Sequence, residues 1–261
     1  MGGITLARPE FLVLMDAVQA PGVVGLDTLE LVPGDKDEHK AVVADGIERL
    51  KERGALRVED GINVLDTTLI GMAMVIANPD LALVTTRDNP GTGQQLFLHY
   101  KAQAFVVEQT LPSEQEHRLA MVGEAELIDR IMEILPVSLE DPGGQMQAVL
   151  DQDEFFKAKD LAEAGDGAKA LKALGRQGVE ADVAEALLAS LAGPEFGGTL
   201  AVLRCKKGQV VDGRNFALVQ GAGRAWLLSQ AKPGSTQLEL ATCDGNRVRT
   251  LLSGWVGELS G

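Results

Sequence analysis

The sequence carries one pattern of strand, proline turn, strand and amphipathic helix twice, at residues 97–135 and at residues 218–256. A constant shift aligns Phe105 with Trp226 (226 − 105 = 121) and brings identical residues together. The identical pairs are Ala104 and Ala225, Gln109 and Gln230, Pro112 and Pro233, Leu119 and Leu240, and Ala120 and Ala241. The same shift pairs the helical apolar residues Leu127, Ile131 and Leu135 with Val248, Leu252 and Val256. This duplication constrains the architecture, because each copy leaves a sheet edge or face that its counterpart can cover.

The order of the predicted elements indicates the fold class. In each half, helices precede a run of short strands separated by turns, and one amphipathic helix follows. We therefore expect an α/β chain of the α+β type, with a pseudo-twofold, duplicated body in which each half is a short antiparallel meander with flanking helices. The first half, residues 1–136, starts with a winged-helix-like unit, and the second, residues 145–261, starts with a helix over residues 145–164. Together they should form one compact unit in which Phe105 and Trp226 are equivalent buried residues.

The charge of the chain limits its partners. The 261 residues have a net charge of −14, which opposes binding to a phosphate backbone or an anionic membrane surface. Through Pro136 there are 11 basic and 22 acidic residues (11 − 22 = −11), and the remainder has 13 and 16 (13 − 16 = −3). The helix predicted over residues 35–53, which a winged-helix protein would place on DNA, has six acidic and five basic residues. We therefore expect no nucleic-acid partner and no membrane partner, and an acidic protein partner should prefer the second half.

Two features bear on the compartment. No apolar run approaches the roughly 20 residues needed to cross a bilayer, and residues 1–10 lack the pattern of a signal peptide. The two cysteines, Cys205 and Cys243, fit a reducing compartment and are expected to be unpaired, buried thiols. These features predict a cytoplasmic protein and leave open whether it forms a homo-oligomer.

The residue types that usually perform catalysis or hold metal ions are sparse and scattered. The three histidines, His39, His99 and His117, fall in separate predicted elements, and their counterparts in the second copy are not histidines. The Gly91-Thr92-Gly93 segment joins two predicted strands, whereas a glycine loop that binds a dinucleotide leads into a helix. We therefore predict no catalytic residues, no cofactor and no metal, and a protein that is not an enzyme.

Two groups of residues in the second half are candidates for binding a partner. Their members are Phe155, Phe156, Phe196, Arg204, Lys206, Lys207 and Arg224. Because adjacent helical residues diverge by about 100°, at most one of Phe155 and Phe156 can point directly into the core. The basic residues occupy a stretch with little opposing acidic charge. This basic stretch can also be explained as a set of solvated charges that protects a sheet edge from aggregation.

Several short segments carry a resemblance that spans nearly the whole chain. In the first half they are Leu50-Lys51-Glu52-Arg53-Gly54, Asn78-Pro79-Asp80, Leu81-Ala82-Leu83-Val84 and the strand pair leading to Phe105. In the second half they are Gly178, Ala192-Gly193-Pro194, Leu200-Ala201-Val202, Arg224-Ala225-Trp226-Leu227-Leu228 and the closing helix. Their order resembles the EspG family, which are cytosolic chaperones of mycobacterial type VII secretion with a pseudo-twofold α/β body.

The resemblance implies a non-enzymatic chaperone or adaptor that binds a helical protein partner. EspG proteins hold the helical tip of a secreted PPE-type protein against the central sheet and the second-half helical bundle, which keeps its apolar end soluble. An exposed aromatic residue beside a basic strand edge would suit an amphipathic, acidic helix. The alternatives are a regulatory or sensor protein with a winged-helix unit, and a protein that shares the fold but has another role, since fold does not fix function.

Overall fold

The computed structural model describes residues 3–26, 34–138, 144–232 and 234–260, and a ten-stranded antiparallel sheet is its main element. The strands are β1 (Ile4–Ala7), β2 (Leu56–Glu59), β3 (Ile62–Leu65), β4 (Leu81–Asn89), β5 (Gly93–Ala102), β6 (Phe105–Ser113), β7 (Glu116–Val122), β8 (Gln147–Asp151), β9 (Pro194–Lys206), β10 (Gln209–Gly221), β11 (Arg224–Gln230) and β12 (Gln237–Cys243). The helices are α1 (Arg8–Ala17), α2 (Lys36–Glu52), α3 (Thr67–Ala77), α4 (Leu127–Ile134), α5 (Gln152–Glu163), α6 (Gly167–Arg176), α7 (Ala181–Ala192) and α8 (Gly245–Leu259), with a 3-10 turn at Glu124–Glu126. The predicted α+β class is confirmed.

The strand order of the large sheet is symmetric about its middle. From edge to edge it runs β1-β7-β6-β5-β4-β9-β10-β11-β12-β8. β4 and β9 pair at the centre, with Leu81 opposite Arg204 and Asp88 opposite Gly197. Outward from this pair, each half contributes four consecutive strands and then an edge strand from its own beginning. This order agrees with the predicted duplication, and the superposition of residues 1–136 on residues 145–261 stays a prediction.

The predicted equivalence of Phe105 and Trp226 is wrong. Phe105 and Arg224 are the first residues of β6 and β11 after their hairpin turns, so Val107 holds the position in β6 that Trp226 holds in β11. Phe105 is 56% exposed, whereas Trp226 is fully buried. Between β6 and β11 the shift is therefore 119 residues (226 − 107). It becomes 121 between β7 and β12, because the chain from Trp226 to its partner in β12 is two residues longer than the chain from Val107 to its partner in β7. Pro233, which the alignment matches to Pro112, lies outside the described residues.

The helices divide between the two faces of the sheet. On one face, α4 and α8 pack against each other and over the central strands. On the opposite face, α1 to α3 cover the strands of the first half, above a core that includes the buried Tyr100. There α5 to α7 cover the strands of the second half, above a separate core that includes Trp226. The centre of this second face therefore lies between two groups of helices.

Local capping signals set several helix boundaries. Asp35 accepts hydrogen bonds from the amides of Asp37 and Glu38 and so begins α2, and Asp66 caps α3 in the same way. The helix predicted over residues 145–164 starts later, because Asp151 is its N-cap. Residues 147–151 form strand β8 instead, which pairs with β12.

The beginning of the chain contains a hairpin of its own. β2 and β3 pair with each other, with Leu56 opposite Leu65, and within the described ranges they pair with no strand of the large sheet. The hairpin follows α2, as the winged-helix-like prediction requires, but residues 27–33 of that unit lie outside the described residues. The winged-helix assignment therefore stays a prediction.

Both cysteines are free and buried, as predicted. Cys205 lies in β9 and Cys243 in β12, so two strands of the sheet separate them. Burial raises the pKa of both thiols, that of Cys243 to about 12. Since the thiolate is the reactive form, neither cysteine is suited to nucleophilic or redox chemistry in the folded protein.

Candidate functional site

The three candidate phenylalanines have different environments. Phe155 and Phe156 are neighbours on α5, with ring centroids 5.5 Å apart, and Phe155 is buried while Phe156 is 49% exposed. This confirms the prediction that only one of the pair faces the core. Phe196 in β9 is also buried, in the core beneath α4 and α8. In this conformation Phe156 is therefore the member of the three that a partner can reach.

The basic candidates do not form one surface. Arg204, Lys206 and Lys207 lie at the end of β9 and in the turn that follows it, and Arg204 forms an ion pair with Asp212 at 3.7 Å. Arg224 follows the opposite end of β10, which is 13 residues long, so about 40 Å separates it from the β9–β10 turn. The proximity in sequence was misleading because the intervening strand is fully extended.

The centre of the sheet forms a trough between the two helical groups. Its floor consists of β5, β4, β9 and β10, and rows of residues can be read directly from their pairing. One row contains Val84, Ala201 and Asn215, and the next contains Leu96, Thr86, Thr199 and Ala217. Leu203 continues the floor toward the β9–β10 turn. All eight side chains are exposed or half-buried, and none of them is charged.

The dimensions of this trough suit a helix. Four adjacent strands span about 14 Å between the axes of the outer two, and an α-helix with its side chains is about 10–12 Å wide. Gly25 forms part of one wall, since a Cβ atom there would lie 2.6 Å from Leu98 and 3.0 Å from Val84. On the other side, α7 packs over β10 and β11.

Two hydroxyl groups lie at the middle of the floor. Thr86 Oγ1 and Thr199 Oγ1 are 2.7 Å apart, across the β4–β9 pairing that joins the two halves of the chain. Thr86 Oγ1 also accepts a hydrogen bond from the amide of Thr199 at 3.2 Å. The contact uses one of the two hydroxyl hydrogens, so the other can donate to a polar group of an occupant.

A polar cleft extends the trough into the first half. It has a volume of about 860 Å³ and shares Gln94 and Leu96 of β5 with the trough. Its far side includes Arg8, His117 and the β6–β7 turn. The cleft therefore adds amide and hydroxyl groups, the Arg8 guanidinium and the Glu114 carboxylate to the end of the floor where Asp88 lies opposite Gln94.

The histidines do not converge on a reactive centre. His99 is buried on the α4–α8 face, where its Nε2 lies 3.2 Å from Glu108 Oε2. This contact and the Arg130 guanidinium hold the pKa of Glu108 below its usual value. His117 is buried on the other face, stacked on Phe11 at 4.2 Å, and burial lowers its pKa to about 4. The sheet separates the two imidazoles, and each one packs the core.

Two further observations concern metals and membranes. Among the described residues, no cluster of three or more His, Cys, Asp or Glu side chains is placed to hold a metal ion. Within the same ranges, every helix is too short or too polar to span a bilayer.

Sequence reasoning identified the central strands but not the trough between their covering helices. The signal was present in β4 and β9, where the alternate residues that face the trough are small, apolar or hydroxylated as far as Asp88, which ends the row in β4. Those same residues would also fit a fully buried sheet. Only the packing of the two helical groups over separate cores shows that the described helices leave the middle of this face between them.

Comparison with known proteins gives a result at the level of structure. The sequence matches no known family profile and no curated protein. Among solved structures, the chain is similar to the Mycobacterium tuberculosis type VII secretion system chaperone EspG5 in its complex with the PE25-PPE41 dimer. The TM-score is 0.65 at 16% sequence identity, and the match covers 97% of this chain and 95% of that one. The chain therefore has an EspG-like fold.

Proposed function

We propose that this protein is a chaperone or adaptor, not an enzyme, and that it binds a helical segment of another protein in the central trough. The observation that carries the proposal is a patch of eight neighbouring uncharged floor residues, which ends at Asp88 of β4, in a chain whose net charge is −14. A surface left open to water in so acidic a protein would be expected to carry charge. The absence of charge on these eight residues favours an occupant that buries apolar surface there.

The structural neighbour supports the same kind of partner. EspG5 is described in complex with a PE25-PPE41 dimer, which is a protein partner. At 16% identity this likeness concerns the fold, so the partner of the present chain must be found from its own surface.

The ends of the trough suggest the chemistry of that partner. Lys206 and Lys207 follow β9 at one end and are exposed. An amphipathic helix with its apolar face on the floor and an acidic residue toward the lysines would match this surface. Phe156 is exposed on α5, which packs against the edge strand β8, and is a separate candidate contact.

A charge placed on the floor tests the proposal. Thr199→Glu and Asn215→Glu each put a carboxylate on an exposed floor position, which an apolar helix face would have to desolvate. Gln230→Glu is the matched control, because it adds the same charge at an exposed position of β11 outside the trough. Partners recovered by affinity purification from the native cell should be lost with the first two variants and retained with the control.

The recovered partner should then be purified and measured by calorimetry. We expect each floor variant to weaken binding at least about tenfold, which corresponds to 1.4 kcal/mol. A partner that binds Thr199→Glu and Asn215→Glu as tightly as the parent protein would rule out the trough. Recovery of no specific protein would contradict the chaperone role itself.

A further inference from the structure

The two edges of the large sheet differ in whether other residues form hydrogen bonds with their outward-facing backbone groups. At one edge, the carbonyl oxygen of Thr5 in β1 accepts a hydrogen bond from Arg53 at 2.9 Å. At the other edge, β8 pairs with β12 on its inner side, and no described residue pairs with it on its outer side. Unpaired edge amides and carbonyls are a template for another strand, and natural proteins usually blunt them. β8 is therefore the open edge of this sheet.

Main-chain contacts at the two ends of β8 show which residues face outward. The amide of Thr242 donates to the carbonyl of Met146 at 2.9 Å, and the amide of Gln152 donates to a carbonyl beside β12 at 2.7 Å. In an antiparallel pair, residues bonded in this way recur at every second position. The even-numbered residues of β8 therefore bond to β12. The amides and carbonyls of Gln147 and Val149 point away from the sheet.

A pocket opens beside these outward groups. Its volume is about 370 Å³, within the range of pockets that bind small ligands or single side chains. One wall is residues 145–149, and the other is the start of α7 with Gly178 and Val179 before it. Val149 itself is 54% exposed. An added strand would thus find both backbone partners and a place for a side chain.

The charges around this edge select the occupant. Glu180 and Asp182 line the pocket, Asp151 ends β8, and Glu239 lies opposite Val149 on β12. Basic side chains at the start of β8 include Arg224, whose Nη1 lies 3.7 Å from the sulfur of Met146, and Arg247, which donates to the carbonyl of Thr242. Among the described residues that line the pocket itself, Glu180 and Asp182 are charged and no lysine or arginine accompanies them, which favours a basic occupant. These carboxylates oppose a second copy of this chain, which would bring the same carboxylates together.

We propose that β8 accepts an extended, basic peptide segment of a protein partner as an added strand of the large sheet. The segment exchanges main-chain hydrogen bonds with Gln147 and Val149 and places one side chain in the pocket. That side chain is a lysine or an arginine, and in the pocket it faces Glu180 and Asp182. The site lies at the sheet edge, three strands from the trough floor, and it does not depend on the function proposed for the trough.

The first experiment is a selection from random decapeptides displayed on phage, against the full chain at about 150 mM salt. We expect enrichment of sequences in which basic and apolar residues alternate. One enriched peptide is then synthesised, and its affinity is measured for the parent chain and for variants. Failure to enrich such sequences would overturn the proposal.

Val149→Pro is the decisive variant. It removes one outward amide but leaves the bonds of the neighbouring residues to β12, and proline is tolerated on an edge strand whose amide faces solvent. We expect binding of the peptide to weaken at least about tenfold. Thr5→Pro is the matched control on the capped edge, and it should leave the affinity unchanged. Equal binding of the peptide to Val149→Pro and to the parent chain would contradict strand addition.

A second variant keeps the test independent of any effect of proline on folding. The double substitution Glu180→Gln and Asp182→Asn should weaken the selected peptide severalfold and leave a version with glutamine in place of its basic residue unaffected. Asn215→Glu, on the trough floor, should leave the peptide affinity unchanged. Concentration-dependent self-association that disappears in Val149→Pro would assign the edge to a second copy of this chain and so overturn the proposal.

Discussion

The indole nitrogen of Trp226 donates a hydrogen bond to the hydroxyl oxygen of Ser190 at 3.1 Å, and both side chains are buried. The Ser190 hydroxyl in turn lies 2.9 Å from the carbonyl oxygen of Gly221, to which it donates. This chain of contacts joins α7 to β10 and β11. It fixes the helix that borders the trough on the side of the second half.

Trp226→Ala should destabilise the protein by about 3–5 kcal/mol, because it leaves a cavity in a fully buried site and a serine hydroxyl without its donor. The measurement is the free energy of unfolding in urea. Phe156→Ala is the control, since that ring is half exposed, and it should change stability by less than about 0.5 kcal/mol. Similar midpoints for the two variants would contradict the burial of Trp226.

A pair of helical glycines should respond to alanine in opposite directions. A Cβ atom at Gly46 in α2 would lie 2.2 Å from the carbonyl oxygen of Pro9 in α1, so Gly46→Ala must push the two helices apart. We expect a loss of about 1–3 kcal/mol. Gly71 in α3 has no atom within 4 Å of such a Cβ, and Gly71→Ala should add about 0.5–1 kcal/mol through helix propensity. Thermal denaturation of both variants checks the sign of each change.

His117 should make the stability of the protein depend on pH. Burial lowers its pKa to about 4 in the fold, whereas an unfolded histidine titrates near 6.5. Between these values the unfolded chain binds more protons. The stability that depends on a neutral His117 is therefore fully present above about pH 6.5. It is lost as the pH falls toward 4, and the loss in the free energy of unfolding is up to about 3 kcal/mol.

His117→Leu removes this titration and should flatten the dependence of the free energy of unfolding between about pH 6.5 and 4. Leucine is a suitable replacement because Leu238 holds the matching position in β12 and is buried. The variant will also be less stable at neutral pH, since Gln109 Nε2 loses the ring nitrogen 2.7 Å away. A slope unchanged from the parent protein would assign the pH dependence to other groups.

The two halves should unfold in a single transition. The β4–β9 pairing places them in one continuous sheet, so separating them would expose two long strand edges. Tryptophan fluorescence reports only on the second half, where Trp226 and Trp255 lie, and far-ultraviolet circular dichroism reports on the whole chain. We expect both signals to give the same midpoint in urea. Two separated midpoints would show that residues 1–136 and 145–261 behave as independent domains.

Local chemistry made many helix boundaries predictable. Asp35 and Asp66 accept hydrogen bonds from the first free amides of α2 and α3, and these contacts reach only two or three residues along the chain. The α+β class and the two buried, free cysteines were predictable for a similar reason, since composition and the spacing of apolar residues carry that information. The EspG-like fold was inferred from a resemblance of short segments, and the structural match now supports it.

Relationships across strands were less predictable. The alignment of Phe105 with Trp226 failed because two extra residues between β11 and β12 change the shift from 119 to 121, and a one-dimensional alignment cannot place such an insertion. Residues 147–151 were assigned to a helix because their own pattern does not exclude one. They form a strand because β12 offers an edge to pair with.

The sequence by itself determined the acidic charge, the elements with strong local signals and, in each half, the order of the consecutive strands and of the helix that follows them. Tertiary structure alone decided which phenylalanine is exposed, which basic residues are neighbours, and which sheet edge is open. It also decided that, within the described residues, the middle of one sheet face lies between two helical groups, because those groups pack over separate cores. The physical reason is the separation along the chain over which each interaction acts. Caps and apolar periodicity act over a few residues, whereas the trough and the β8 edge depend on strands far apart in the chain: Thr86 and Thr199 are 113 residues apart, and β8 pairs with β12 across at least 86 residues (237 − 151).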